Sequence, residues 1–310
     1  MDFEKHPANL GDMTNSEHDI LRDQPFWTFL PTQQRVPFVL NSPHSGRIYP
    51  KGFLESSRLN AHTIRSSEDF LVDELIADTR SLDLVSMGAN FPRAFLDVNR
   101  EPYELDSSMF NGELPAFVNT NSMRVASGLG TIARIVAEGE EIYNRRLEVA
   151  EAMNRVEQFY KPYHAMLRHL LAQTHVRFGC AVLIDCHSMP SSYPIQNNAE
   201  RPDFILGNRF GSSCSNAIVH AARELLEGMG FHVELNKPYA GGFITEHYGR
   251  PQNGLHAMQI EINRGLYMNE VTLTPNRQFP VIKHCLTELF AGLTRIKTNS
   301  LYGSIPLAAE

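Results

Sequence analysis

Two short apolar runs in this chain of 310 residues end in the same way, each at a histidine. Val36-Pro37-Phe38-Val39-Leu40 leads into Asn41-Ser42-Pro43-His44-Ser45-Gly46, and Cys180-Ala181-Val182-Leu183-Ile184 leads into Asp185-Cys186-His187-Ser188-Met189-Pro190. Imidazole is the commonest metal ligand, and two imidazoles with one carboxylate make a zinc centre that keeps an open position. Glu68 and Asp69, in Ser66-Ser67-Glu68-Asp69, are candidate carboxylates. Their plainer reading is charge compensation in the first turn of a helix. Asp73, one helical turn beyond Asp69, and Asp185 are candidates to hold an imidazole from behind. A hydrolytic centre also needs a base beside the attacking water. Gln259-Ile260-Glu261-Ile262-Asn263-Arg264 alternates, so as a strand it points Gln259, Glu261 and Asn263 to one face. Glu246-His247, after the pair Gly241-Gly242, is the rival acid. Asn99-Arg100 suits a substrate carboxylate, which arginine grips with two parallel hydrogen bonds. Arg93, Arg250 and Arg264 are further cations. Each candidate has a bland alternative: a turn histidine, a solvated edge face, or a surface ion pair of Arg100 with Glu101 or Glu104. Two histidines at matching strand ends favour the metal reading.

The elements that must position these residues read as alternating α and β. In open α/β sheets, ligands and catalytic groups collect at the carboxyl ends of strands. Strands are expected over 36–41, 84–87, 94–98, 180–186, 203–207, 231–235 and 257–263. A helix is expected to open at Ser66–Asp69 and bury Leu71, Val72, Leu75 and Ile76. A long helix is expected over 138–178, kinked or divided at Pro162, with others over 213–227 and 277–294. Residues 101–130, rich in Pro, Gly, Asn and Ser, read as a functional loop. Gly128-Leu129-Gly130-Thr131-Ile132-Ala133 matches G-x-G-x-x-A, but the preceding Arg124-Val125-Ala126-Ser127 is a poor strand. A turn opening the long helix is the better reading there. Residues 1–34 read as an N-terminal arm docked by Phe26, Trp27 and Phe29, and 35–310 as a single domain.

Composition excludes several classes. With 28 Lys and Arg against 35 Asp and Glu, the net charge is −7, which argues against a nucleic-acid partner. No apolar stretch approaches the roughly 18 residues of a membrane span, and the polar N-terminus reads as no secretory signal. Cys180, Cys186, Cys214 and Cys285 form no C-x-x-C pair, which fits free thiols in a reducing cytoplasm. Cys186 and His187, adjacent on a strand, face opposite ways, which disfavours a thiol–imidazole dyad. There is no H-E-x-x-H, G-x-S-x-G or P-loop pattern.

Taken together, the motifs resemble the N-formylglutamate amidohydrolase (deformylase) family. The matching stretches are Ser42–Gly46, Ser67-Glu68-Asp69 with 72–75, 91–100, 185–190, 241–249 and 256–261 with 266–268. The resemblance implies a three-layer α/β/α domain on a mixed sheet, similar to the zinc carboxypeptidases, spanning 35–310. It implies one zinc ion, held by His44, Asp69 and His187, and a glutamate base at Glu261. Asn99, Arg100, Arg264 and His247 would bind an acidic N-acyl amino acid such as N-formyl-L-glutamate, as in histidine degradation. Arg47 stands where the carboxypeptidase-type H-x-x-E would need an acid, and Glu246 where histidine-pathway deformylases more often carry a basic residue. Other readings are a metallopeptidase or another deacylase on the same scaffold, and a non-catalytic binder of acidic ligands. A non-haem iron oxygenase ranks low, because the chain has no H-x-D triplet.

Overall fold

The computed structural model describes residues 21–136, 139–192 and 201–296. Seven strands form its main sheet: β1 (Phe26–Phe29), β2 (Phe38–Ser42), β3 (Val85–Ala89), β4 (Ala181–Met189), β5 (Phe204–Gly207), β6 (Val233–Leu235) and β7 (Leu255–Asn263). Their spatial order is β1-β3-β2-β4-β7-β5-β6. The four central strands β3, β2, β4 and β7 are parallel, while β1 and β5 run antiparallel to their inner neighbours. Every residue of β2 and β4 is buried, which explains why both read as unbroken apolar runs in the sequence.

Alternation splits these strands between two cores. Val39, Met87 and Leu183 face one core, with Phe159, Tyr163 and Leu167. Phe38, Leu40, Val182 and Ile184 face the other. Helices α2 (Val149–Arg155) and α3 (Lys161–Phe178) belong to the first core. Helices α1 (Val72–Leu75), α4 (Asn216–Gly228) and α6 (Phe279–Leu293) belong to the second. Helix α5 (Phe243–Tyr248) follows the Gly241-Gly242 loop. The result is the expected three-layer α/β/α arrangement on a mixed sheet. No helix among the described residues is long and apolar enough to cross a membrane.

The structure corrects several local expectations. No helix opens at Ser66–Asp69: Asp69 N–H donates to the His44 carbonyl at 3.1 Å, and Leu71 takes a left-handed conformation (φ 55°). Only the four-residue α1 follows. Residues 94–98 form a buried turn rather than a strand, because Asp97 Oδ1 accepts from Asn99 N–H at 2.8 Å. The long helix starts at Val149, later than expected, and its α-helical run is divided just before Pro162. A π-turn over Val156–Tyr160 precedes Pro162 and takes up the missing donor and the bulky ring. The G-x-G-x-x-A stretch is a turn that opens no helix. Residues 26–29 of the expected arm form the edge strand β1, and residues 1–20 lie outside the described residues. Gly88 makes room for Trp27, since a Cβ there would lie 2.6 Å from the indole.

Candidate active site

Because β2, β4 and β7 are parallel neighbours, their carboxyl ends share one sheet edge. His44 lies two residues past β2, His187 near the end of β4, and Glu261 beside His187 in register on β7. The turn that replaces the expected helix brings in Asp69, and Ser45 Oγ secures it by donating to the Asp69 carbonyl at 2.9 Å. Asp69 Oδ2 lies 2.9 Å from His187 Nδ1 and 3.4 Å from His44 Nδ1. One donor atom from each of the three buried residues falls within 4.8 Å of the others.

Both imidazoles are braced from behind. His44 Nε2 lies 2.7 Å from Asp97 Oδ1, and His187 Nε2 lies 2.9 Å from Asp185 Oδ2. Asp185 Oδ1 accepts from Asn41 Nδ2 at 2.7 Å, and Asn41 Oδ1 from the Tyr163 hydroxyl at 2.5 Å. A carboxylate behind each ring holds a proton on Nε2, so Nδ1 is the atom each ring presents toward Asp69. His44 Nδ1 is buried and has no hydrogen-bond partner. A buried polar atom left this way is rare, and a cation between the three groups would satisfy it. Two imidazole nitrogens and a carboxylate oxygen are a donor set that suits zinc. Burial opposes charge on His187, but Asp185 and Asp69 outweigh it and raise its pKa well above the usual range. Burial likewise opposes charge on Asp69, yet His187 and His44 hold its pKa well below the usual carboxylate range.

Glu261 is buried beside this cluster. Its Oε1 accepts from Gln259 Nε2 at 2.6 Å, and Gln259 Oε1 accepts from Gly242 N–H at 2.8 Å. Burial, reinforced by the charge of Asp69, pushes Glu261 up to about 7, against the pull of His187, Gln259 and Arg93. A carboxylate poised near neutrality and locked by an amide suits proton transfer.

A cavity of about 530 Å³ opens over these groups. Among the predicted residues, His44, Asp69, Asn99, Arg100, His187, Glu261 and Arg264 all line it. His247 does not: it is exposed on α5, stacked on Phe243 with ring centroids 5.0 Å apart. Glu246, also exposed, pairs with Arg209 at 3.0 Å and does not line the cavity. Glu68 is turned away, accepting from Tyr49 at 2.5 Å and Arg65 at 3.0 Å. Asp73 pairs with Arg47 at 2.9 Å rather than with an imidazole. Asn263 leaves the row set by Gln259 and Glu261 and bonds Pro202 and Gly265 instead. Cys186 packs in the core on the opposite face, where burial raises its thiol pKa.

Asn99 and Arg264 line the cavity but are engaged with the protein. Asn99 Oδ1 accepts from Ile244 N–H at 2.8 Å, and Arg264 donates to Asp69, Ser188 and Ser66. Arg93, Arg100 and Arg124 supply the positive lining. Burial lowers the Arg100 pKa, and the like charges of Arg93 and Arg124 add to this against the opposing pull of Asp97. Sequence reading does not single out Asp97 or Arg124. The usable signal for Asp97 is its place two residues before Asn99, where an aspartate caps its own turn.

A buried two-histidine, one-aspartate cluster, a braced glutamate and a cationic cleft at the carboxyl edge of a mixed sheet define a hydrolytic α/β enzyme. The profile of the N-formylglutamate amidohydrolase family matches residues 36–268, and the chain belongs to that family of hydrolases acting on an amide C–N bond. The N-formylglutamate deformylase of Pseudomonas putida is 29% identical over 245 residues, covering 77% of this chain and 84% of that protein. The N-formylglutamate deformylase of Pseudomonas aeruginosa is 28% identical over 243 residues, covering 76% and 84%. The crystal structure of N-formylglutamate amidohydrolase from Ralstonia eutropha is similar with a TM-score of 0.81 and 32% identity, covering 86% of this chain and 97% of that one.

Proposed function

We propose that the protein is a zinc-dependent amidohydrolase that removes the formyl group from N-formyl-L-glutamate, with His44, Asp69 and His187 holding one ion. The observation that carries this reading is the buried His44 Nδ1, which has no hydrogen-bond partner and lies 3.4 Å from Asp69 Oδ2, the oxygen that also faces the second braced imidazole. Zinc, when bound, acts as a Lewis acid toward the amide carbonyl and makes water more acidic. Glu261 takes a proton from the attacking water and passes it to the amide nitrogen. The C–N bond then breaks, giving formate and the free amine of glutamate. Arg100, with Arg93 and Arg124 beside it, binds the substrate carboxylates, and their mutual repulsion is relieved by an anion. Asn99 supports the start of α5 through Ile244 N–H. His247, outside the cavity, is assigned no part in binding. The four free cysteines fit a cytoplasmic enzyme.

The test is formate release from N-formyl-L-glutamate by the purified protein, before and after chelation and after zinc is restored. Activity lost with the metal and recovered with zinc is expected. Full activity in a metal-free, chelator-treated protein sinks the metal assignment, and no turnover of N-formyl-L-glutamate by the zinc-loaded protein sinks the substrate.

A further inference from the structure

We infer that Arg264 is a positioning residue that confines Asp69 to a single ligating oxygen, Oδ2, and so keeps a coordination position open for water and substrate. The inference rests on the metal centre proposed above. The two oxygens of Asp69 have different surroundings. Oδ2 faces the two imidazole Nδ1 atoms, at 2.9 and 3.4 Å. Oδ1 accepts from Arg264 Nη2 at 3.2 Å and from Ser188 Oγ at 3.3 Å. A carboxylate can ligate a cation through one oxygen or both. Charge-assisted bonds to one oxygen occupy its lone pairs and withdraw it from the metal.

Arg264 is itself fixed. Its Nε donates to Ser188 Oγ at 3.0 Å and its Nη1 to the Ser66 carbonyl at 3.2 Å. The residue is buried and starts the 3₁₀ turn Arg264–Leu266 immediately after β7. Ser188 follows the ligand His187, and Ser66 lies three residues before Asp69. The planar guanidinium therefore ties the turn that bears one ligand to the strand that bears another. A lysine ammonium is a point charge and cannot span three such acceptors at once. Gripping a substrate carboxylate, the role the family resemblance suggests for Arg264, would mean exchanging these protein acceptors for the substrate.

The experiment uses Zn²⁺ and Co²⁺ as probes on the full-length protein and its R264Q, R264K and S188A variants. Metal affinity is read by competition with a chromophoric chelator, and coordination number by the visible absorption of the cobalt form. Thermal unfolding of the metal-free proteins checks the fold. R264Q is expected to weaken zinc binding by about 10- to 100-fold, as loss of an outer partner of a ligand does. It should also turn the intense absorption of low-coordinate cobalt into the weak absorption of a higher-coordinate ion. R264K should regain part of the affinity but not the spectrum, and S188A should move both readouts the same way by less. Unchanged affinity and spectrum in R264Q, with a raised KM for N-formyl-L-glutamate, overturns the inference and makes Arg264 a substrate clamp. Weaker binding with an unchanged cobalt spectrum also overturns it, because denticity is then not controlled here. If R264Q does not fold, S188A is judged by the same two criteria. A wild-type protein that takes up neither metal sinks the proposed function, and this inference with it, before any variant is compared.

Discussion

Two sets of residues line the cavity, and they are built differently. His187, Gln259 and Glu261 stand on the adjacent parallel strands β4 and β7, and their polar atoms are tied to Asp185, Asp69 and Gly242. Arg93 and Arg100 come from irregular segments and Arg124 from the one-turn helix Met123–Ala126, and they keep 15–33% of their side-chain surface exposed. Arg93 is paired tightly with Asp97 at 2.9 Å, whereas the other two ion pairs are loose: Arg124 is 3.5 Å from Glu104, and Arg100 is 3.8 Å from Asp97. Proton transfer demands fixed geometry, which strands supply. Recognition of an acidic substrate demands positive charge that the protein has not already neutralised. The cavity keeps the two requirements on different parts of the chain.

The largest expected effect falls on the strand set. Glu261→Gln keeps the size of the side chain but removes the base, so kcat should fall by a factor on the order of 10² to 10⁴ with metal content intact. Steady-state kinetics and metal analysis on the same preparation check this. Loss of the metal would make Glu261 a ligand, and an unchanged kcat would remove it from catalysis.

The second effect tests what holds the arginine segment in place. His164 on α3 lies 2.9 Å from both the Val98 carbonyl and the Tyr248 hydroxyl, and burial depresses its pKa to about 4. Above pH ~6.5 the ring is neutral in the folded and unfolded chain, so it contributes no pH dependence. Between there and about 4 the unfolded chain binds a proton that the folded one refuses, so stability falls as pH falls. The full loss from this group is about 3 kcal/mol. Asp73 and Glu261, raised by burial to about 6 and about 7, pull the opposite way in part of this window. The comparison that isolates His164 is therefore wild type against His164→Gln by urea unfolding from pH 7 to 4.5. The variant should lose less stability on acidification than wild type, and parallel curves would contradict the assignment.

The same contrast explains what was legible in the sequence. Strand-borne residues declare themselves: the runs ending at His44 and His187 mark buried strands, and alternation puts Asp185 and His187 on the same face, with Cys186 opposite. Glu261 follows from the same period of two. Residues placed by turns are harder to read. Asp69 reads as a candidate, but its acidic neighbourhood reads as a helix start, and the turn is set by bonds to a distant segment: Asp69 N–H to the His44 carbonyl and Ser45 Oγ to the Asp69 carbonyl. Tyr49 and Arg65 make the choice between Glu68 and Asp69 by claiming Glu68; Arg65 is three residues away, but Tyr49 lies 19 positions away. Arg264 reads as a substrate cation because its three acceptors lie far away along the chain.

On the arginine side, Arg100→Lys should raise the KM for N-formyl-L-glutamate roughly 10- to 100-fold, the worth of hydrogen bonds to a charged group, with kcat moved far less. Its Nε is spent on the Leu129 carbonyl and one Nη on that of Asn99, so the lysine loses positioning as well as one substrate contact. N-formyl amino acids without a side-chain carboxylate sharpen the comparison. If KM rises equally for them, Arg100 binds the α-carboxylate; if only for the glutamate derivative, it reads the side chain. An unchanged KM for both would move recognition to Arg93 and Arg124.

The smallest effect is expected on α5, where the sequence offered Glu246 as a rival base and His247 as a substrate ligand. Both are exposed on a six-residue helix and neither lines the cavity. Glu246 meets Arg209, whose Nη1 donates to the Gly241 carbonyl at 3.2 Å, so its side chain is linked to the cavity through the loop backbone. An exposed ion pair of this kind contributes little to stability. Glu246→Gln and His247→Ala should each leave kcat near wild type and shift KM by less than about fivefold. Of the two, Glu246→Gln should show the larger shift, because Arg209 then loses its counter-charge beside Gly241, a residue that does line the cavity. A drop in kcat on the order of 10² or more in Glu246→Gln, the scale reserved for a general base, would reverse the assignment of the two glutamates and move the chemistry from the strand to the loop.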